Sequence, residues 1–388
     1  MKKIATISLI ILLTVLVIGK APVLAKNFDL DVESAILIEA ETGQVLYEKN
    51  PDKRVPPASI TKVMALLIAM EQIEKGKLNL EDEVSVSRYA ESMGGSQIFL
   101  PANIRIKVEE LLKAVTIASA NDASVALAEA IAGTYGNFID LMNEKADEMG
   151  LENTHFLNST GLPEEGDNHY SSARDIALMA KELVKYDKIR EWASTWLEYV
   201  PLPNRRAMLV NTNKLIKKYP GLDGLKTGHT SEAGFCLAAT AKQSKMRLIS
   251  VVLDAKTETA REEITTRLLD YGFNGFRKEV AIKKGSEINN INVPSGKKTV
   301  TTAQAAANLP VVMQRGSEDD TEVKTILNED IKAPIKKGDV LGKNVLTVGG
   351  QKVGEVKLLA TENIEKANIF VRLWRSFVNW IGSWLQNL

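Results

Sequence analysis

A serine and a lysine three positions apart open the first long helix that the sequence predicts. Ser59 and Lys62 share one helical face, so the lysine amine can approach the serine hydroxyl. A serine hydroxyl is a weak nucleophile unless a neighbour takes its proton, and lysine does so only when burial or nearby cations lower its pKa. The apolar residues that follow supply such burial. The pair predicts covalent catalysis by serine, although the spacing alone is a weak signal, since Ser295 and Lys298 share it in a predicted turn.

Two further motifs follow along the chain. Ser119 and Asn121, one residue apart, lie between two predicted helices, where the hydroxyl can relay a proton and the amide can hold a substrate amide. Lys226, Thr227 and Gly228 lie just ahead of a predicted strand; the cation and hydroxyl suit a carboxylate, and the glycine allows close approach of a substrate backbone. Taken alone, the first motif fits a helix cap and the second a surface turn. Together, in the order Ser-x-x-Lys, Ser-x-Asn, Lys-Thr-Gly, they form the signature of penicillin-binding proteins and β-lactamases.

The resemblance extends beyond these three motifs. The stretches that carry it are Pro57-Ala58-Ser59-Ile60-Thr61-Lys62, Ser119-Ala120-Asn121-Asp122-Ala123, Asn158-Ser159-Thr160-Gly161-Leu162, His169-Tyr170-Ser171-Ser172-Ala173 and Asp223-Gly224-Leu225-Lys226-Thr227-Gly228-His229-Thr230. Over the whole mature chain the protein resembles the low-molecular-mass D-alanyl-D-alanine carboxypeptidases, which also have a small β-rich domain and an amphipathic terminal anchor. The resemblance implies that Ser59 is the acylated nucleophile, Lys62 its general base, and Ser119 and Asn121 the residues for proton transfer and substrate positioning. The middle residue of the second motif is alanine where some relatives have glycine, which leaves these roles intact.

The resemblance also implies how the substrate is bound. Lys226 and Thr227 would bind its terminal carboxylate, with Arg261 as an additional carboxylate-binding residue. The backbone amides of the nucleophile and of His229 would form the oxyanion hole, next to Gly228. The expected partners are peptidoglycan stem peptides ending in D-Ala-D-Ala and, as covalent inhibitors, β-lactam antibiotics.

Composition excludes other classes of protein. The chain of 388 residues has 49 basic and 49 acidic side chains, so binding to nucleic acid through phosphate neutralisation is not expected. Its single cysteine, Cys236, cannot form an intrachain disulfide and is predicted to be a buried apolar residue in a strand. Its three histidines are few and scattered, and no metal ion or other cofactor is predicted.

The two chain ends are predicted to deal with membranes. Residues 1–25 have two lysines, an apolar run and a tract ending in small residues, typical of an export signal; an uncleaved anchor is the alternative. Residues 368–388 place Trp374, Trp380 and Trp384 on one apolar helical face, flanked by Arg372 and Arg375. Such a helix suits a bilayer interface, with docking on the protein's own core as the alternative. The enzyme is therefore expected on the outer surface of the cytoplasmic membrane, bound peripherally.

The predicted fold class is α/β (α+β). Helices are predicted over 59–75, 108–118, 122–132, 138–149, 173–186 and 259–271, with a hairpin over 34–50 and strands over 233–241 and 246–253. Strands on both sides of a helical insert predict one catalytic domain, 26–275, whose antiparallel sheet joins distant segments, as in β-lactamases and DD-peptidases. A small all-β domain over 276–366 and the amphipathic helix over 367–388 follow.

Three alternatives compete with this prediction. A β-lactamase needs a base for rapid deacylation, and Glu164 and Asn168 have the spacing of such a loop, although the polar run over 163–167 favours a solvated acidic loop. A Ser-His-Asp hydrolase is disfavoured because no Gly-x-Ser-x-Gly elbow is present, and a phosphate loop because glycine does not precede Lys226. A non-catalytic, surface-anchored cell-wall sensor would be labelled by penicillin but would release no D-alanine.

Overall fold

The computed structural model describes residues 30–163, 166, 168–316, 321–371, 373–375 and 377. The predicted export signal, Glu164, Trp380 and Trp384 lie outside these residues.

Strands and helices alternate in blocks along the described chain. The strands are β1 (Ser34–Glu39), β2 (Val45–Lys49), β3 (Glu83–Ser85), β4 (Arg105–Lys107), β5 (Leu197–Leu202), β6 (Arg205–Val210), β7 (Leu222–Thr230), β8 (Gly234–Gln243), β9 (Met246–Ala255), β10 (Phe276–Ile282), β11 (Glu287–Asn292), β12 (Val300–Ala305), β13 (Leu309–Gln314), β14 (Thr321–Leu327), β15 (Val340–Val348) and β16 (Gln351–Ala360). The α-helices are α1 (Lys62–Glu74), α2 (Arg88–Glu91), α3 (Val108–Ile117), α4 (Asn121–Ala132), α5 (Tyr135–Glu148), α6 (Ala173–Leu183), α7 (Asp187–Ser194) and α8 (Glu258–Gly275), with 3₁₀ turns at Ala58–Thr61 and Lys214–Lys217.

The central sheet joins segments that are far apart in the chain. Its order is β2-β1-β9-β8-β7, and β1 pairs antiparallel with β9 so that Leu37 lies opposite Ser250. Alternate residues of β1 face opposite sides, as the pleat requires: Ile36 and Ile38 join the helical core, while Leu37 packs close to Gly272 of α8. The sheet of distant segments that the sequence predicts is therefore present, with β7 at its edge.

Helix α1 lies at the centre of the helical region. All its residues from Lys62 to Met70 are buried, in agreement with a sequence that is apolar all round. Helices α3, α4, α5 and α6 surround it. The predicted helices are present with shifted ends; α5 begins three residues early because the side chain of Thr134 caps it by accepting a hydrogen bond from the backbone of Asn137. Helix α7 and the hairpin β5-β6 were not predicted.

The chain after α8 is built from strands. A five-stranded sheet has the order β11-β12-β16-β15-β14, and β10 pairs with β13. Its core includes Val293, Leu358 and Ile364. Helix α8 ends and β10 begins at the predicted domain boundary, residues 275 and 276, although the domain limits themselves stay a prediction.

The end of the described chain is helical at 369–371, 373–375 and 377. Its large apolar side chains are exposed, Phe370 by 79% and Trp374 by 66%. Among the described helices, none combines the length and the apolar character needed to span a bilayer.

Candidate active site

Ser59 lies in the 3₁₀ turn that leads directly into α1. The hydroxyl of Thr61 donates to the carbonyl of Ala58 at 2.8 Å, which holds the turn in place. In a 3₁₀ turn the side chains at i and i+3 eclipse each other. Lys62 therefore lies beside Ser59, with its Nζ 3.0 Å from the serine Oγ.

The environment of Lys62 favours a neutral amine. The side chain is fully buried, and its Nζ also donates to the carbonyl oxygen of Thr160 at 2.6 Å. Burial, followed by the nearby charge of Lys226, lowers the pKa of Lys62 well below its ordinary value, against an opposing effect of Asp122. A neutral amine that donates to Thr160 keeps a lone pair for the Ser59 proton. The geometry and the pKa direction thus suit a general base.

A tight loop, residues 158–162, positions that carbonyl. Oδ1 of Asn158 accepts hydrogen bonds from the backbone of Thr160 and Gly161 at 3.1 and 2.7 Å. Gly161 has φ +78°, and a Cβ added there would lie 1.7 Å from the Ala58 carbonyl oxygen. Only glycine allows the loop this close to the turn that carries Ser59. The sequence analysis quoted this stretch but gave it no separate role; the Thr-Gly turn signal is the part of it that sequence reasoning could have used.

Ser119 and Asn121 lie at the junction between α3 and α4. Ser119 is 3% exposed with φ +61°, and it is not a helix cap, since Ala120 precedes α4 and no side chain caps it. Asn121 donates from Nδ2 to the carbonyl of Gly94 at 2.7 Å. Its Oδ1 is buried and has no partner among the described residues. A buried acceptor of this kind is suited to a substrate N–H.

The Lys-Thr-Gly motif lies within β7, at the edge of the central sheet. The prediction that it precedes a strand starting at Ala233 is therefore wrong: it forms a strand of its own, which mixes glycines with polar residues and lacks the alternation that identifies strands. Lys226 is 1% exposed and not part of a surface turn. Burial, followed by the charge of Arg261, lowers its pKa to about 7. Thr227 donates from its hydroxyl to that of Thr212 at 2.7 Å.

The remaining predicted residues surround this strand. A Cβ on Gly228 would lie 3.0 Å from the carbonyl oxygen of Pro57, so glycine permits β7 to approach the 3₁₀ turn. His229 is exposed and its ring lies 4.1 Å from that of Phe235. Arg261 is buried, and its Nε has no partner among the described residues. Burial lowers its pKa.

His169 belongs to the site although sequence reasoning gave it no role. The backbone N–H of Leu157 donates to its Nδ1 at 3.0 Å, so the ring proton is on Nε2, which lies 2.8 Å from the Thr61 hydroxyl oxygen. The Thr61 proton is in turn donated to Ala58. Burial, with smaller effects of His155 and Lys62, lowers the pKa of His169 to about 4, so the ring is neutral at pH 7.

The tertiary structure thus gathers the predicted residues around one edge of β7. Ser59 and Lys62 are in direct contact, and charge effects link Lys62 to Lys226 and Lys226 to Arg261. Within the described part of the chain, no cluster of three or more histidine, cysteine or acidic side chains is arranged to hold a metal ion.

Known structures share this arrangement. Penicillin-binding protein 5 from Haemophilus influenzae matches with a TM-score of 0.76 at 31% identity, over 87% of this chain and 98% of that chain. Penicillin-binding protein D2 from Listeria monocytogenes, in an ampicillin-bound form, matches with a TM-score of 0.55 at 32% identity, over 64% of this chain and 99% of that chain. The fold is that of the low-molecular-mass penicillin-binding proteins.

Sequence comparison identifies the family. The D-alanyl-D-alanine carboxypeptidase family, peptidase S11, matches residues 19–257, and the C-terminal domain of penicillin-binding protein 5 matches residues 276–366. D-alanyl-D-alanine carboxypeptidase DacF of Bacillus subtilis is 43% identical over 352 residues, which cover 90% of each protein. The chain belongs to the peptidase S11 family of D-alanyl-D-alanine carboxypeptidases and is an enzyme of that class. The predicted family, fold class and enzymatic class are confirmed.

Proposed function

We propose that the protein removes the terminal D-alanine from peptidoglycan stem peptides through an acyl-enzyme at Ser59. The observation that carries the proposal is the 3.0 Å separation between Nζ of Lys62 and Oγ of Ser59, where burial lowers the lysine pKa. Nζ accepts the hydroxyl proton as Oγ attacks the carbonyl carbon of the penultimate D-alanine. The C–N bond then breaks, the leaving D-alanine nitrogen takes a proton, and water hydrolyses the ester to release the shortened peptide.

The edge position of β7 supports binding of an extended substrate. An edge strand presents backbone groups that can pair with an added peptide strand. The backbone amides of Ser59 and His229 serve as the donors to the developing oxyanion. Such donors stabilise the tetrahedral intermediate more than the ground state, which is how they accelerate the reaction.

Ser119 and Asn121 act between nucleophile and substrate. The buried, unpartnered Oδ1 of Asn121 accepts an N–H of the substrate backbone, which orients the scissile carbonyl. Ser119 relays the proton from Lys62 to the leaving amine. The left-handed backbone of Ser119 turns this segment sharply from α3 into α4 and thereby sets the position of both side chains.

Lys226, Thr227 and Arg261 bind the terminal carboxylate. In the empty site, mutual repulsion and burial lower the pKa values of Lys226 and Arg261. A carboxylate that enters relieves this repulsion and can pair with the free Nε of Arg261. The arrangement therefore selects a free C-terminus, as a carboxypeptidase requires.

β-Lactams are proposed to acylate the same serine. The lactam carbonyl takes the place of the scissile carbonyl, and its C–N bond opens as Ser59 Oγ attacks. The lactam nitrogen takes a proton but stays attached to the acyl group, so no product leaves to admit water. The ampicillin-bound form of the Listeria monocytogenes relative supports this proposal.

The enzyme is proposed to act outside the cytoplasm, held at the membrane surface by its C-terminal helix. The described part of that helix exposes Ile369, Phe370, Leu373, Trp374 and Phe377. Exposed apolar side chains at helical spacing favour insertion into a bilayer interface. The export signal over residues 1–25 would deliver the enzyme there.

Mutation of the nucleophile tests the proposed chemistry. Ser59→Ala should abolish both D-alanine release from a pentapeptide and the penicillin adduct seen by mass spectrometry. Ser295→Ala is the matched control: its Oγ accepts a hydrogen bond from the backbone of Ala333 in the β-rich region, so both activities should persist. An adduct on the Ser59→Ala variant would reject the assignment.

A further inference from the structure

A cavity of about 570 Å³ adjoins the acylation site. Ala58 and Gly161, which flank the nucleophile, form one wall, and the lining continues to Thr230, Glu232 and Arg54. None of the catalytic roles described above uses this space. Its position next to Ser59 makes it accessible to the part of a substrate that is not cleaved.

The direction of β7 determines which part of the substrate reaches the cavity. The terminal carboxylate binds at Lys226 and Thr227, near the middle of the strand. A peptide that pairs antiparallel with β7 then runs from this point towards Thr230, at roughly 3.3 Å per residue. The third residue from the substrate C-terminus lies about 7 Å from the terminal one, towards the wall that Thr230 and Glu232 form.

Arg54 provides a fixed positive charge in this cavity. Its Nε donates to Oδ1 of Asn153 at 3.1 Å, its Nη2 donates to the carbonyl of Glu152 at 3.0 Å, and its guanidinium lies over the ring of Tyr170 at 4.7 Å. Within the described residues no carboxylate pairs with it, and Nη1 has no hydrogen-bond partner. The side chain is thus held in one orientation by neutral groups, with its charge available to a ligand.

Glu232 provides the opposite charge. It lies just beyond the end of β7 and is exposed, and across the described part of the chain its carboxylate has no hydrogen-bond or ion-pair partner. The cavity therefore presents one anchored cation and one free carboxylate, both without a counter-ion. A ligand that carries both charges would pair with each of them.

We propose that Arg54 and Glu232 form a binding subsite for the side chain of the third residue from the substrate C-terminus. The subsite selects a side chain that ends in both an amine and a carboxylate, which is the chemistry of a diaminodicarboxylic acid. Arg54 pairs with the carboxylate and Glu232 with the amine. A lysine side chain satisfies Glu232 alone and leaves Arg54 unpaired. The inference rests on the acyl transfer proposed at Ser59.

Three peptides that differ only at this position test the subsite. Each ends in D-Ala-D-Ala and carries diaminopimelate, lysine or norleucine at the third residue from the end, and kcat/KM is measured from D-alanine release. The wild-type enzyme should prefer diaminopimelate over lysine, and lysine over norleucine, by roughly three- to tenfold at each step, because the charges are partly solvated. Equal values for the three peptides would overturn the proposal.

Variants separate the two charges. Arg54→Gln should remove the preference for diaminopimelate over lysine, and Glu232→Gln the preference for lysine over norleucine. Each readout is a ratio within one variant, so a loss of folded enzyme cancels. The controls are Glu144→Gln, at an exposed residue of α5, and Arg315→Gln, whose Nε binds the Phe276 carbonyl far along the chain. Both controls should keep the wild-type ratios, and an unchanged ratio in Arg54→Gln would reject its role.

Failure of the subsite is distinct from failure of the proposed chemistry. If the subsite is wrong but the chemistry is right, all three peptides lose D-alanine at similar rates and Ser59→Ala is inactive on each. If the chemistry is wrong, Ser59→Ala still releases D-alanine.

Discussion

Nε2 of His169 donates a hydrogen bond to the hydroxyl oxygen of Thr61 over 2.8 Å, in the turn that carries the nucleophile. The two residues are more than 100 positions apart in the chain, and the bond is buried. Thr61 passes its own proton to the Ala58 carbonyl, immediately before Ser59. His169 therefore acts as a positioning residue, which holds the turn without contacting the substrate.

Substitution of His169 should slow acylation according to its hydrogen-bonding capacity. His169→Phe removes the donor to Thr61 and the acceptor for Leu157, and should lower the rate of penicillin acylation by about tenfold, since each unsatisfied buried group costs about 1–3 kcal/mol. His169→Gln keeps one donor and one acceptor and should restore most of the rate. If glutamine and phenylalanine are equally impaired, the side chain acts through packing alone.

The acylation rate should depend on the protonation of Lys62. Because burial lowers the pKa of Lys62 well below its ordinary value, the fraction of neutral, reactive amine grows as the pH rises through that lowered pKa. The second-order rate of penicillin acylation should therefore rise with pH and level off well before pH 10. Lys62→Arg keeps a charge and cannot deprotonate, so it should be nearly inactive. A rate that is constant between pH 6 and pH 10 would contradict a lysine base.

Gly161 should tolerate no side chain, for a reason that can be separated from its backbone conformation. An added Cβ would overlap the Ala58 carbonyl at 1.7 Å, so Gly161→Ala should displace the 158–162 loop, lower the free energy of unfolding by several kcal/mol and strongly reduce acylation. Gly150 has a similar φ of +67° but open space around it. Gly150→Ala should therefore lose only about 1 kcal/mol and keep its activity. Urea unfolding and penicillin labelling of both variants measure the difference; similar losses would point to φ alone.

Binding of the substrate carboxylate should weaken as Lys226 loses its proton. The pKa of Lys226 is lowered to about 7 in the empty site, so the cation is present below this pH and disappears above it. In the Ser59→Ala variant, where no acylation interferes, the dissociation constant for a D-Ala-D-Ala peptide should rise above pH 7 by up to about tenfold per pH unit. Arg261→Gln removes the like charge and should move this inflection to higher pH.

Two controls accompany the carboxylate experiment. A peptide with a C-terminal amide should bind weakly and with little dependence on pH, because it has no carboxylate to pair with Lys226. Lys226→Arg keeps its charge at all these pH values and should bind the acid without the inflection near pH 7. An inflection that persists in this variant would assign the titration to another group.

Deletion of residues 368–388 should release a soluble and active enzyme. The exposed apolar side chains of Phe370 and Trp374 would no longer be available for a lipid surface, and the removed contacts include only surface bonds such as that of Arg375 to the Gly296 carbonyl at 2.7 Å. Fractionation of cells and hydrolysis of a soluble peptide measure the two effects. Loss of activity, or retention in the membrane fraction, would show that the helix belongs to the fold instead.

Local sequence signals were sufficient for much of the fold and for the chemical type of the site. The 3.6-residue pattern predicted the helices around α1, because burial of an apolar face is the main force that forms them. Ser59 and Lys62 were recognised because a pair at i and i+3 is brought together by one turn of chain, whatever surrounds it. β7 escaped prediction because its edge strand combines glycines and a buried lysine, a composition that only a functional site requires.

The amino-acid sequence by itself determined the reaction class, since the three motifs and their order are properties of the chain. Tertiary structure decided which charges repel each other and which groups stay without a partner. The lowered pKa of Lys226 comes from burial and from Arg261, a residue of a different element, and the contact of His169 with Thr61 and the meeting of Arg54 and Glu232 at one cavity need the finished fold. Burial and distance are produced by packing between segments remote in sequence, and no local pattern encodes them.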